Sequence, residues 1–185
     1  MDTNTSIWAS ASSKLVIMDN KRHLFRFVDG HIEIDGISPS CSMEETLKRL
    51  LEKGFVRTDD SMRGVISYKG MLSNLGTCFV RLHGKDERIW LIDISTERAY
   101  DEDEAFTILG QIEEDLESKS RFDDGGYGTP IEPHIIRHFW DLDQGYVEMF
   151  WDTKNSCDGD DRNRIHFWFR PPTIKDEAYW RSEVD

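Results

Sequence analysis

Apolar and polar residues alternate along this chain in short blocks that switch between two periods. In Met43–Lys53 the apolar residues Met43, Leu47, Leu50 and Leu51 fall at i, i+4, i+7 and i+8, one stripe of an α-helix. Ser42 with Glu45 forms a capping box that satisfies two amides at the helix start, and Gly54 stands where a left-handed cap is wanted. A second helix is predicted over Glu102–Lys119, where Ala105, Ile108, Leu109, Ile112 and Leu116 recur with helical spacing. Asp101 with Glu104 can cap it, and acids in the first turn suit the positive end of the helix dipole. Glu113, Glu114 and Glu117 then point to water.

Elsewhere the period is two. His31-Ile32-Glu33-Ile34-Asp35 alternates strictly, and Asp29-Gly30 is a tight-turn signal, so Leu24–Phe27 and Ile32–Ile34 read as the arms of a hairpin. Strands are expected at Phe55–Thr58, Gly64–Lys69, Thr77–His83 and Arg88–Ile94, with Gly84–Glu87 as a hairpin tip. On these strands Cys78, Val80 and Leu82 share one face, as do Trp90, Ile92 and Ile94, which makes Cys78 a core residue. Three further strands are expected at Ile135–Asp141, Tyr146–Thr153 and Arg164–Arg170. Asp123–Pro130 and Asn155–Asn163 read as loops, and the runs 1–13 and 173–185 as tails. The pattern thus predicts one α+β domain over 14–172, mainly antiparallel sheet with two packed helices. Two tandem helix-then-meander units, 37–94 and 100–171, fit the same order.

The run Gly36-Ile37-Ser38-Pro39-x-x-Ser42-x-Glu44-Glu45-x-Leu47-x-x-Leu50, closed by Gly54-Phe55 and followed by a meander, resembles the repeat unit of the β-lactamase-inhibitory-protein type. Small outer-membrane-assembly lipoproteins share that helix-then-strands module. The resemblance covers about a third of the chain and implies a binding or scaffold module, often an inhibitor, without catalysis. The cysteine pairs of the inhibitor are not recognisable here, and the shared positions are structural, so no site residue is carried over.

Composition narrows the function. In 185 residues, 36 acids outweigh 23 bases for a net charge of −13. Residues 99–124 hold ten of the acids (Asp101, Glu102, Asp103, Glu104, Glu113, Glu114, Asp115, Glu117, Asp123, Asp124) against Lys119 and Arg121, a local −8. Such a surface repels phosphate backbones and favours a basic protein partner over direct contact with nucleic acid. No apolar run approaches the roughly 20 residues of a membrane-spanning helix. The N-terminus shows neither the basic start nor the apolar stretch of an export signal, and Cys41, Cys78 and Cys157 form no disulfide framework or C-x-x-C pair. The expectation is a cytoplasmic protein, exported only if a signal has been removed.

Candidate chemistry is thin. His134 and His138 sit four apart, but the zincin pattern needs a glutamate where Ile135 stands, and on a strand the two rings are about 13 Å apart at about 3.3 Å per residue. Asp158-Gly159-Asp160-Asp161 lacks the closing glutamate of a calcium loop, and Gly125-Gly126-Tyr127-Gly128 lacks the Lys-Ser/Thr of a phosphate loop. Cys41 precedes a helix, where the dipole lowers a thiol pKa, with His83, His138 and His166 as candidate bases, yet no local signature joins them. No metal, cofactor or catalytic residue is therefore assigned.

The aromatic residues are more informative. Phe139, Trp140, Tyr146, Phe150, Trp151, Phe167, Trp168 and Phe169 crowd three strands. Alternation assigns Ile165, Phe167 and Phe169 to the core and Arg164, His166, Trp168 and Arg170 to the other face, while His138 and Trp140 share a face opposite Phe139. Either that second face is a recognition surface, since Trp and Arg are enriched at binding hot spots, or the 102–119 helix covers it and the tryptophans are core. The candidate partner-binding set is Trp140, Trp168, His138, His166, Arg170, Glu113, Glu114, Glu117, Asp123 and Asp124. The reading that follows is a non-catalytic acidic protein-binding module, an inhibitor or immunity-type partner of a basic protein. The alternative is a small enzyme or ligand-binding protein with a pocket between sheet and helix.

Overall fold

Hairpins and helices form where the two periods place them. In a computed structural model, residues 23–59, 64–85, 87–116, 120–124, 135–143, 145–152 and 163–171 are described. The expectations at 1–22, Glu117, Gly125–Gly128, His134, Cys157, Asp158–Asp161 and 173–185 lie outside them. Strands β1 (Phe25–Val28) and β2 (His31–Ile34) pair through a turn in which Asp29 (φ 50°) and Gly30 (φ 78°) are both left-handed, the geometry a two-residue hairpin needs. Helix α1 (Met43–Glu52) starts where Ser42 Oγ accepts from Glu45 N at 3.2 Å. It stops at Gly54 (φ 79°), as Gly54 N and Phe55 N donate to the Leu51 and Leu50 carbonyls. Thr46 and Leu50 are its buried residues, whereas Leu51 is 59% exposed. The buried stripe is therefore narrower than the spacing suggests, because Leu51 lies at its exposed margin.

Strands β3 (Val56–Thr58), β4 (Val65–Leu72), β5 (Gly76–Lys85) and β6 (Arg88–Thr96) follow as a meander. Helix α2 (Glu102–Leu116) comes next, then a second meander of β7 (Ser120–Asp124), β8 (Ile135–Leu142), β9 (Gly145–Asp152) and β10 (Ile165–Arg170). The strand β7 corrects the expectation of a loop beginning at Asp123 and of only three strands in this half. Ser-Arg-Phe-Asp-Asp has no apolar alternation because it is an edge strand, paired on one side only.

The eight strands form one sheet in the order β3-β4-β5-β6-β10-β9-β8-β7. Every pairing is antiparallel, so the two meanders meet through their last strands, β6 and β10. The fold is α+β, and no helix among the described residues is long and apolar enough to cross a membrane.

Both helices and the β1–β2 hairpin share their core with the same face of the sheet. That inner face carries Tyr68, Leu72, Cys78, Val80, Leu82, Ile92, Ile94, Trp140, Val147, Met149, Ile165, Phe167 and Phe169, in one cluster with Ala105, Leu109, Ile112 and Leu116 of α2 and Leu50 of α1. Phe25 of the hairpin packs edge-on against Phe167 and Phe169, with ring centroids 6.1 and 5.9 Å apart. Cys78 and its neighbours Val80 and Leu82 are fully buried, as their alternation predicts. Trp90 departs from its expected face. The register slips by one residue between His83 and Gly84, so Trp90 is the bulged residue and its ring lies 5.1 Å from that of His83.

Candidate functional site

Register places one residue from each of seven strands in a single row on the outer face. Reading across, Thr58 stands opposite Ser67, Ser67 opposite Arg81, Arg81 opposite Asp93, Asp93 opposite Trp168, Trp168 opposite Glu148, and Glu148 opposite Phe139. Side chains directly opposite on one face are about 5 Å apart, so the row is continuous. Its neighbour two residues along reads Val56, Lys69, Phe79, Ser95, His166 and Phe150. Among the described residues no helix packs on this side.

Cations and rings are interleaved across the face. Lys69 Nζ and the Arg81 guanidinium lie 5.3 and 5.9 Å from the Phe79 centroid, and the Arg170 guanidinium lies 5.2 Å from Tyr146 and 5.4 Å from Trp168. Acids are interleaved too, with Lys69 paired to Glu97 and Arg81 Nη1 3.4 Å from Asp93 Oδ2. Trp168 is 38% exposed.

Several polar groups on this face are covered but incompletely bonded. Thr58 Oγ1, Ser67 Oγ, His83 Nε2 and Asp93 Oδ1 are buried and have no hydrogen-bond partner among the described residues. Arg81 Nη1 is nearer to Ser95 Oγ, at 3.1 Å, than to the Asp93 carboxylate. Burial depresses the pKa of His83, with the Arg81 charge adding to the effect and Asp93 opposing it.

The candidate residues fall on two opposite sides of the molecule. His166, Trp168 and Arg170 are on the outer face, as alternation predicts. His138 and Trp140 are not with them: both are buried on the inner face, their rings stacked at 4.5 Å, with His138 Nδ1 3.8 Å from Glu113 Oε1 of α2. Helix α2 covers the inner face, so Trp140 is core while Trp168 is not. Glu114 is exposed and Glu113 half-buried on α2, on the helix side of the sheet. Asp123 and Asp124 lie on the edge strand β7, and Glu117 is outside the described residues.

A pocket for the alternative reading is present at the start of α1. A cleft of about 510 Å³ is lined by Pro39, Ser40, Cys41, Ser42, Glu87, Arg88, Ile89 and Pro171. Burial pushes the Cys41 thiol up from its ordinary pKa, aided by Glu45 and Glu33 and opposed by Arg49. The raised pKa keeps the thiol protonated at neutral pH. Cys78, in the core, is pushed up to about 12 by burial. A group of three or more metal-ligating side chains is not found among the described residues.

What sequence reasoning missed is the polar half of the outer face, Ser67, Arg81, Asp93 and Glu148. Alternation marks each as facing away from the core, but only the strand order aligns them. No protein family, no curated protein and no solved structure matches this chain.

Proposed function

We propose that this chain is a non-catalytic protein-binding module, an inhibitor or immunity-type partner of a basic protein. The observation that supports the reading is the outer face of the eight-stranded sheet, broad, rich in aromatic and arginine side chains and carrying an exposed tryptophan, with both described helices on the other side. Arg and aromatic residues dominate binding hot spots because they bury large area while keeping polar contacts. The net charge of −13 gives the partner its sign and speeds its approach at low salt. The residues split accordingly: the outer face makes the contact, and the acids of α2 contribute long-range field.

The test is capture of a partner from extract at about 50 and about 500 mM salt, followed by reconstitution from purified components. The expected partner is basic, binds less tightly at high salt, and loses affinity for a Trp168→Ala variant. A partner of acidic character, or binding indifferent to salt, would overturn the proposal.

A further inference from the structure

Among the described residues, an exposed ring stands beside an under-bonded carboxylate at one place on the outer face. Trp168, the exposed ring, is flanked across the strands by Asp93 on β6 and Glu148 on β9. Asp93 is held loosely. The only guanidinium contact to it is the 3.4 Å approach of Arg81 Nη1 among the described residues, and that nitrogen is better placed on Ser95. Asp93 Oδ1 is covered and has no donor among the described residues, while the side chain as a whole is 16% exposed. Beyond Arg81 in the same row, Ser67 is 1% exposed and its Oγ has no hydrogen-bond partner among the described residues.

We propose, resting on the basic-partner reading above, that Trp168 and Asp93 together seat an arginine side chain of that partner. Its guanidinium stacks on the indole and donates to the Asp93 carboxylate. Arginine fits better than lysine because its plane lies flat on a ring while its edge carries the donors that a carboxylate accepts. The same face already holds guanidinium groups in this manner, Arg170 over Trp168 and Tyr146 and Arg81 over Phe79. Arg170 reaches the indole from along the strand, whereas Asp93 flanks it from across the strand. A seat of this kind at the β6–β10 junction would fix the register of the partner on the sheet, while the acids of α2 act at a distance.

Labelled nona-arginine and nona-lysine peptides, titrated against the whole chain and followed by fluorescence anisotropy, test the seat. Nona-arginine is expected to bind more tightly than nona-lysine, and Asp93→Asn is expected to weaken it by at least about tenfold. The peptide is also expected to quench tryptophan emission in the wild type and to leave it unchanged in Trp168→Phe. Trp168→Phe is a surface substitution and carries the test alone if Asp93→Asn does not fold. Nona-arginine binding that survives both variants but is lost on Glu102→Gln, Asp103→Asn and Glu114→Gln together would remove the seat and leave the basic-partner reading standing. Binding of neither peptide, together with failure to capture any basic protein, would remove both.

Discussion

One oxygen of Asp115 receives the backbone amides of both Leu24 and Phe25, at 2.7 and 3.0 Å, across a sequence separation of about ninety residues. Its other oxygen meets His23 Nδ1 at 2.6 Å, and the carboxylate is 3% exposed. The last turn of α2 is thereby fastened to the first residues of the hairpin. The two amides at the start of β1 are satisfied by this carboxylate. Asp115→Ala is expected to cost about 1–3 kcal/mol, since it leaves buried donors without an acceptor, and Asp115→Asn less. Urea unfolding measures the loss. Hydrogen exchange should locate it, with protection falling first at Leu24 and Phe25.

Gly70 has no room for a side chain. A Cβ there would lie 2.4 Å from Cγ of the Phe55 ring. Gly70→Ala is therefore expected to destabilise by about 1–3 kcal/mol through overpacking. Removing the obstacle should couple to it: in a Phe55→Ala background the same substitution should cost less, and a double-mutant cycle in urea should return a non-zero interaction energy.

Stability should fall on mild acidification partly through His83. Burial holds its folded pKa below the unfolded value of about 6.5, so between the two the unfolded chain binds the extra proton. The contribution of neutral His83 is complete above about pH 6.5 and declines as pH drops toward the folded pKa. Denaturation midpoints of wild type and His83→Gln should shift in parallel from about pH 8 to about pH 5 if another histidine is responsible. The gap between them should change with pH, the variant being the less pH-sensitive, if His83 is.

The thiols should differ sharply in reactivity. In a Cys157→Ser background, a disulfide reagent at about pH 8 should modify Cys41 slowly and leave Cys78 untouched until the protein unfolds. Cys78 is wholly buried with its pKa pushed up to about 12, and Cys41 is half-exposed with its pKa raised less. Rapid native labelling of two thiols would contradict this core assignment.

The elements were legible in the sequence where one local signal decided them. The Ser42–Glu45 cap, the Asp29-Gly30 turn and the Ala105–Leu116 stripe each act within one or two turns of chain, and each forms as written. Edge strand β7 was not legible, because pairing on one side asks little of its side chains. The face of Trp90 was misread because a one-residue bulge reverses every alternation argument beyond it. The candidate surface was half legible. Alternation separates Trp168 from Phe167 and Phe169, but whether Trp140 joins it depends on which side α2 packs, a long-range choice that no local pattern encodes. The polar row through Ser67, Arg81 and Asp93 is likewise a product of strand order.

The junction of β6 with β10 makes the sheet divisible. Each meander is built from consecutive strands, so no strand of one half is threaded between strands of the other. Among the described residues, the divide is crossed by that ladder, by the Asp115 carboxylate on His23, Leu24 and Phe25, by the hydrogen bonds of Tyr100 to Leu75, Asn163 and Trp151, and by the Ile165 amide donating to the Thr96 hydroxyl. Two separately made polypeptides, broken between β6 and α2, would have those links and the facing apolar surfaces to restore. The chain therefore lends itself to use as a split reporter whose eight-stranded sheet is complete only when the two fragments meet.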